Sequence, residues 1–196
     1  MTTARLEAFS DGVLAILITI MVLELKVPHD ATAEALRHMA PQLIAYLLSF
    51  IYIGIYWNNH HHLFHATERV NAAIMWGNLH LLFWLSLLPF VTAWAGETHG
   101  APFPTACYGV VLFASGLAYY ALVRAIVSHH GANSAVARAV GTDVKGRVSL
   151  VMYAAAVPLS LFEYTGIAHL LYAAVALMWL VPDRRIEREL HGTGAS

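Results

Sequence analysis

The stretch Arg5–Pro28, "RLEAFSDGVLAILITIMVLELKVP", decides how the chain is read. It is long and apolar enough to cross about 30 Å of hydrocarbon as a helix of about 20 residues. Yet it opens with Arg5, Glu7, Ser10 and Asp11, carries Thr19 at mid-depth, and ends on Glu24 and Lys26. A polar group in hydrocarbon costs several kcal/mol unless it meets a partner, so this polarity demands either partner helices or a job of its own.

The rest of the chain has the same character. Of 196 residues, 59% are hydrophobic and only 12% charged, with a mean hydropathy of +0.60, whereas a soluble domain carries about a quarter charged residues. The chain is an integral membrane protein with the lipid bilayer as its surroundings. Its apolar residues gather in blocks of membrane-crossing length, which indicates a helical bundle rather than a barrel. The first block has acidic residues in its leading part and no small-x-small cleavage site after it, so it is read as a retained span and not a signal peptide. With a formal net charge of -1 and no basic patch, nucleic acid is not an expected partner. The single cysteine, Cys107, lies in an apolar block and reads as a small buried hydrophobe.

Breaks at charged, Pro and Gly residues divide the chain into six transmembrane helices at about 5–26, 42–64, 71–95, 105–127, 147–164 and 167–182, forming one domain over residues 1–196. The fifth and sixth are separated only by a turn within "FEYTGIAH", expected at Gly166, and Pro158 is expected to kink the fifth. Six spans put both termini on one side. Arg5, Arg69, Arg124, Arg138, Lys145, Arg147, Arg184, Arg185 and Arg188 then share that side, against Lys26 and Arg37 on the other. By the positive-inside rule both termini are cytoplasmic. The long connection at 128–146 reads as a partly helical cytoplasmic loop, and "DRRIEREL" as a solvated end attracted to anionic lipid.

At about 100° per residue, Arg5, Gly12, Ile16, Thr19, Leu23 and Lys26 fall on one stripe of the first helix, with Phe9 at its border. Ser10 and Asp11 point to either side of it. Those two residues could instead cap a helix beginning at Gly12, and Thr19 could simply bond back to a carbonyl one turn earlier. The second span ends in "YWNNHHHLF" at 56–64, and the third carries Asn78 and His80 in "WGNLHLLFWLSLLPF". Three helices thus offer polar groups at one depth, and a shared hydrogen-bond cluster resolves their cost. The histidines do not make a metal site: consecutive His60, His61 and His62 diverge by about 100° each, and the pair His61 and His65 lacks an accompanying acid in the pattern of a zinc protease.

Arg5-x-x-x-Phe9-Ser10-Asp11 resembles the R-x-x-x-F-S-D signature of the transmembrane protein 175 family of potassium channels, known from endolysosomal membranes and from bacteria. "GVLAILITIMVLEL" is similar in character to that family's first helix. Trp57, His60, Leu63 and Phe64 match a W-x-x-H-x-x-L-F pattern in its second, and Asn78 with Leu88-Pro89 fits its third. The resemblance covers about the first 95 residues and points to a bacterial form in the inner membrane. It implies a homotetramer of six-helix subunits in which the first helix lines a central pore. By the same resemblance Ile16 and Leu23 are hydrophobic constrictions with Thr19 a hydroxyl layer between them, while Arg5, Phe9, Ser10 and Asp11 join Trp57, His60 and Asn78 in a polar network. The permeant ion implied is K⁺, with no cofactor, no bound metal and no catalytic residue.

No T-V-G-Y-G-like segment occurs, so selectivity cannot come from a re-entrant loop of carbonyls. An apolar ring gates by dewetting and favours the more easily dehydrated K⁺ over Na⁺ modestly. Glu24 departs from the animal pattern and stands either near the outer mouth or among headgroups. The second reading is a proton-coupled secondary transporter with Asp11, His60 and His80 as a relay, against which stands the lack of paired helix interruptions or an inverted repeat. A membrane enzyme finds no nucleophile or acid pair at usable spacing.

Overall fold

The computed structural model describes residues 2–131, 134–140 and 143–180, and every regular element among them is an α-helix. In chain order these are α1 (Thr3–Leu23), α2 (Ala33–His38), α3 (Ala40–His65), α4 (Ala72–Ser86), α5 (Leu88–Glu97), α6 (Pro102–His130), α7 (Ala135–Val140), α8 (Val144–Leu161) and α9 (Thr165–Leu180). Five runs are long and apolar enough to cross a membrane: α1, α3, α4 with α5 as one run, α6 and α8. A sixth apolar helix, α9, is shorter at 16 residues. Arg184, Arg185, Arg188 and the last two residues of the expected sixth span lie outside the described residues.

Several boundaries have local causes. The third expected helix divides at Leu87 because Pro89 has no N–H to give and its ring crowds the carbonyl one turn back. Pro158 stands inside α8 without ending it. The turn between α8 and α9 is made at Glu163, not at Gly166. Glu163 takes the left-handed conformation, φ 69°, and Tyr164 N–H reaches back to Leu159 O at 2.9 Å, a helix-terminating pattern that leaves Gly166 inside the first turn of α9. Helix α2 was not foreseen. Its marks are nonetheless in the sequence: Thr32 accepts from Ala35 N–H, Glu34 lies in the first turn, and Arg37 and His38 lie in the last.

Helix α6 is the spine, packed on α4, α5 and α8, while α1 packs on α3, α4 and α5, and α8 on α9. Two glycines permit the closest approaches. A Cβ on Gly109 of α6 would fall 2.1 Å from the Tyr172 hydroxyl of α9, and one on Gly96 of α5 would fall 2.9 Å from Gln42 Cα of α3. One end of the bundle is marked by the α3–α4 connection. There Thr3 bonds Glu68 O, Arg69 N–H donates to His130 Nε2, and Asn71 Nδ2 donates to His129 Nδ1 at 3.1 Å. The opposite end carries the ion pair between Lys26, just past α1, and Glu97, the last residue of α5.

Candidate functional site

The first helix has two faces. Leu6, Ser10, Leu14, Leu17 and Met21 recur at helical spacing and are buried, so one side of α1 is fixed into the bundle. The opposite side carries Arg5, Phe9, Gly12, Ile16, Thr19, Ile20 and Leu23, all exposed in the single chain, with Ile16 56% and Leu23 80% accessible. Thr19 donates its hydroxyl to Ile16 O at 2.8 Å, which satisfies the donor within the helix and leaves its oxygen lone pairs on the exposed face.

Helix α1 begins at Thr3, so Ser10 and Asp11 stand well inside it and are not its caps. Their partners lie on other helices. Ser10, fully buried, donates its hydroxyl to Leu6 O at 2.9 Å and accepts from Asn78 Nδ2 of α4 at 2.9 Å. Asn78 Oδ1 then accepts from His60 Nε2 of α3 at 2.7 Å. Because Asn78 spends its amino group on Ser10, its carbonyl can only receive. His60 therefore holds its proton on Nε2. The other ring nitrogen, Nδ1, is buried with no protein partner among the described residues, and the ring stacks on Phe64 at 4.4 Å. Each bond in this Leu6–Ser10–Asn78–His60 chain is worth about 1 kcal/mol net, and a broken one leaves a buried polar atom at a cost of about 1–3 kcal/mol.

Two further links tie α1 to α3 beside this chain. Trp57 Nε1 donates to Asp11 Oδ1 at 3.1 Å, and His61 Nδ1 lies 2.7 Å from Glu7 Oε1. Trp57 and His61 stack on each other at 6.2 Å, so the two links reinforce one another. Ser10, Asp11, Trp57, His60 and Asn78 are thus brought together as three helices' worth of polar contact. Arg5 and Phe9 are not joined to it by hydrogen bonds among the described residues; both lie on the exposed side of α1. His80 is also separate. It accepts from Trp84 Nε1 on its own helix at 2.9 Å and sits two residues, about 200°, from Asn78, so Asp11, His60 and His80 do not form a continuous relay.

Glu7 has no role in the sequence motif, although its position four residues before Asp11 places it on the side of α1 that meets α3. A second polar cluster has no mark in the sequence pattern. Ser49 Oγ lies 2.7 Å from Thr92 Oγ1 and 2.9 Å from Tyr108 OH, linking α3, α5 and α6, while Tyr52 OH donates to Tyr172 O at 2.6 Å. Isolated hydroxyls in mid-span give no periodic signal that would reveal such pairing.

This architecture is similar to that of solved and characterised channels. A family model described as the endosomal/lysosomal potassium channel TMEM175 matches residues 5–89, the segment that holds all but the first two residues of α1, the polar chain and Pro89. A potassium channel of Chryseobacterium sp. (strain P1-3) is 52% identical over 190 residues, covering 97% of this chain and 98% of the relative. The human endosomal/lysosomal proton channel TMEM175 is 35% identical over 92 residues, where 40% of this chain meets 18% of that protein. Among solved structures, the crystal structure of a lysosomal potassium-selective channel TMEM175 homolog from Chamaesiphon minutus matches with a TM-score of 0.72 at 30% identity, covering 90% of this chain and 97% of that one. The family is one of ion channels and not of enzymes. This chain belongs to the TMEM175 potassium channel family and has bacterial relatives.

Proposed function

We propose that four copies of this chain assemble around α1 to form a potassium-permeable cation channel. The carrying observation is the division of α1 into a face held by Ser10, Asp11 and Asn78 and an opposite, unpartnered face of Phe9, Gly12, Ile16, Thr19 and Leu23. One chain supplies one such helix, so a symmetric pore needs several copies. Ile16 and Leu23 are one heptad apart, about 10 Å along the axis at about 1.5 Å per residue, and Thr19 stands between them. Their rings form two apolar constrictions separated by a hydroxyl layer, which excludes water when narrow and passes the more easily dehydrated K⁺ ahead of Na⁺ when wide. Selectivity is modest because the hydroxyls replace only part of the hydration shell.

In this reading α9 is the sixth span, both termini are cytoplasmic, and the membrane is the bacterial inner one. The contacts of Thr3 with Glu68 and of Arg69 with His130 gather the N-terminus, the α3–α4 connection and the end of α6 at one end, where Arg5, Arg69, Arg124, Arg138, Lys145 and Arg147 also fall in chain order. That is the end the positive-inside rule assigns to the cytoplasm. The names of the Chryseobacterium and Chamaesiphon relatives support K⁺ as the permeant ion, and those of animal relatives make H⁺ the second ion to measure. Purified protein in liposomes loaded with K⁺ should release it under an outward gradient when a protonophore balances charge. Absence of K⁺ flux from vesicles in which a tetramer is verified would refute the proposal.

A further inference from the structure

Away from α1, helices α3, α6, α8 and α9 separate to leave a narrow, open-mouthed recess. Six of its thirteen lining residues are aromatic: Tyr52, Tyr56, Tyr119, Tyr120, Tyr153 and Trp179. The backbone packs closely at Gly116 and Gly146: a Cβ on Gly116 would press to 3.2 Å from Leu150, and one on Gly146 would run into the Asp143 carboxylate. Among the described residues lining the recess, one side chain carries charge, that of Asp143.

Two features define what chemistry this recess accepts. Aromatic rings present a negative face that attracts cations, most strongly when the site is poorly hydrated, and one ring of this wall already does so: Lys145 Nζ lies 5.9 Å from the centre of Trp179. Asp143 is partly withdrawn from water. Burial pushes its carboxyl above the ordinary 3.8, offset in part by the Gly146 N–H it accepts and by nearby Arg147. Lys145 and Arg147 flank the direction in which α8 presents Gly146, Ser149, Leu150 and Tyr153 to the recess, and neither lines it. A bare alkali ion would find an apolar wall in place of a full oxygen shell, and an anion would meet the carboxylate.

We infer that the recess between α3, α6, α8 and α9 binds an organic monocation, a quaternary ammonium or protonated amine with apolar substituents, through the tyrosine and Trp179 rings and the Asp143 carboxylate. A free ammonium compound and the trimethylammonium headgroup of a lipid share this chemistry. The site is independent of the proposed pore.

The test is calorimetric titration of benzyltrimethylammonium into the full-length protein in nanodiscs of phosphatidylethanolamine and phosphatidylglycerol, with its neutral isostere neopentylbenzene as comparison. The cation should bind saturably and the isostere much more weakly. Asp143→Asn keeps the acceptor that caps α8 and removes only the charge; it should weaken binding by about tenfold or more. Leu150→Trp should fill the recess and abolish binding, while Ile16→Asn should leave it unchanged. Nanodiscs of phosphatidylcholine distinguish the sources: competition with the probe identifies the headgroup as occupant, and unchanged affinity identifies the free cation. Equal binding of the isostere, an unaffected Asp143→Asn affinity, or loss in Ile16→Asn with retention in Leu150→Trp would each overturn the assignment. The last would place the cation in the pore.

Discussion

Asn78 of α4 donates to Ser10 of α1 across 2.9 Å inside a fully buried contact, so the helix proposed to line the pore is held from behind by an amide with no solvent to replace it. Removing either partner strands the other. Ser10→Ala leaves Asn78 Nδ2 unpaired and should destabilise the assembly by about 1–3 kcal/mol. Asn78→Leu strands His60 Nε2–H as well and should cost more than Ser10→Ala. Thermal unfolding of the purified channel in detergent, followed by size exclusion, measures both.

The Trp57–Asp11 bond needs an acceptor but not a charge. Asp11→Asn keeps an oxygen for the indole N–H and should retain most of the stability, whereas Asp11→Leu should lose roughly 0.5–1.5 kcal/mol. If the two variants melted alike, the 3.1 Å contact would contribute nothing to holding α1.

Gly109 tests the packing of α6 against α9. Alanine there meets the Tyr172 hydroxyl at 2.1 Å and should destabilise by about 1–3 kcal/mol as overpacking does. Adding Tyr172→Phe removes that oxygen and should restore part of the loss, although it also gives up the hydroxyl's 3.1 Å bond to Thr105 O. Non-additivity of the pair in the same melting assay is the expected signature.

Two charged groups outside the spans both lose stabilisation as pH rises, but in different pH windows and for different reasons. Glu97 raises the Lys26 ammonium above its ordinary 10.5, chiefly through their hydrogen bond. A raised lysine contributes its stabilisation below the unfolded value and loses it only as pH climbs through the folded one. Glu97→Gln should therefore differ from the parent by a constant, small and salt-sensitive amount between about pH 6 and 9, since the pair is exposed. Asp143 is also raised, but for a carboxyl this means the ionised form is disfavoured by folding. Its contribution becomes more favourable as pH falls through the folded value, so Asp143→Asn should be neutral or slightly stabilising at pH 7. Melting curves across pH separate the two cases.

Much of this architecture was legible in the sequence. Uninterrupted apolar length fixes α3 and α6 to within a few residues, because hydrocarbon thickness leaves little choice. That the first three spans share a hydrogen-bond cluster followed from cost, because polar groups at one depth must find each other, while the choice of His60 and Asn78 as partners came from the family resemblance. What was not legible depends on individual side-chain reach. Glu163 adopting a left-handed turn where Gly166 was expected, Glu7 meeting His61, and Ser49 meeting Thr92 and Tyr108 are each decided by packing between residues far apart in sequence. Arg5 and Phe9 belong to the sequence motif, yet lie on the exposed face of α1.

The central claim is that the exposed face of α1 is the ion path, and a bi-ionic reversal potential tests it most directly. With K⁺ on one side of a planar bilayer and Na⁺ on the other, the parent channel should reverse on the K⁺-selective side of zero. Ile16→Asn, which keeps the constriction wet, should carry larger currents that reverse closer to zero. Currents of unchanged size and reversal potential in Ile16→Asn would contradict the account.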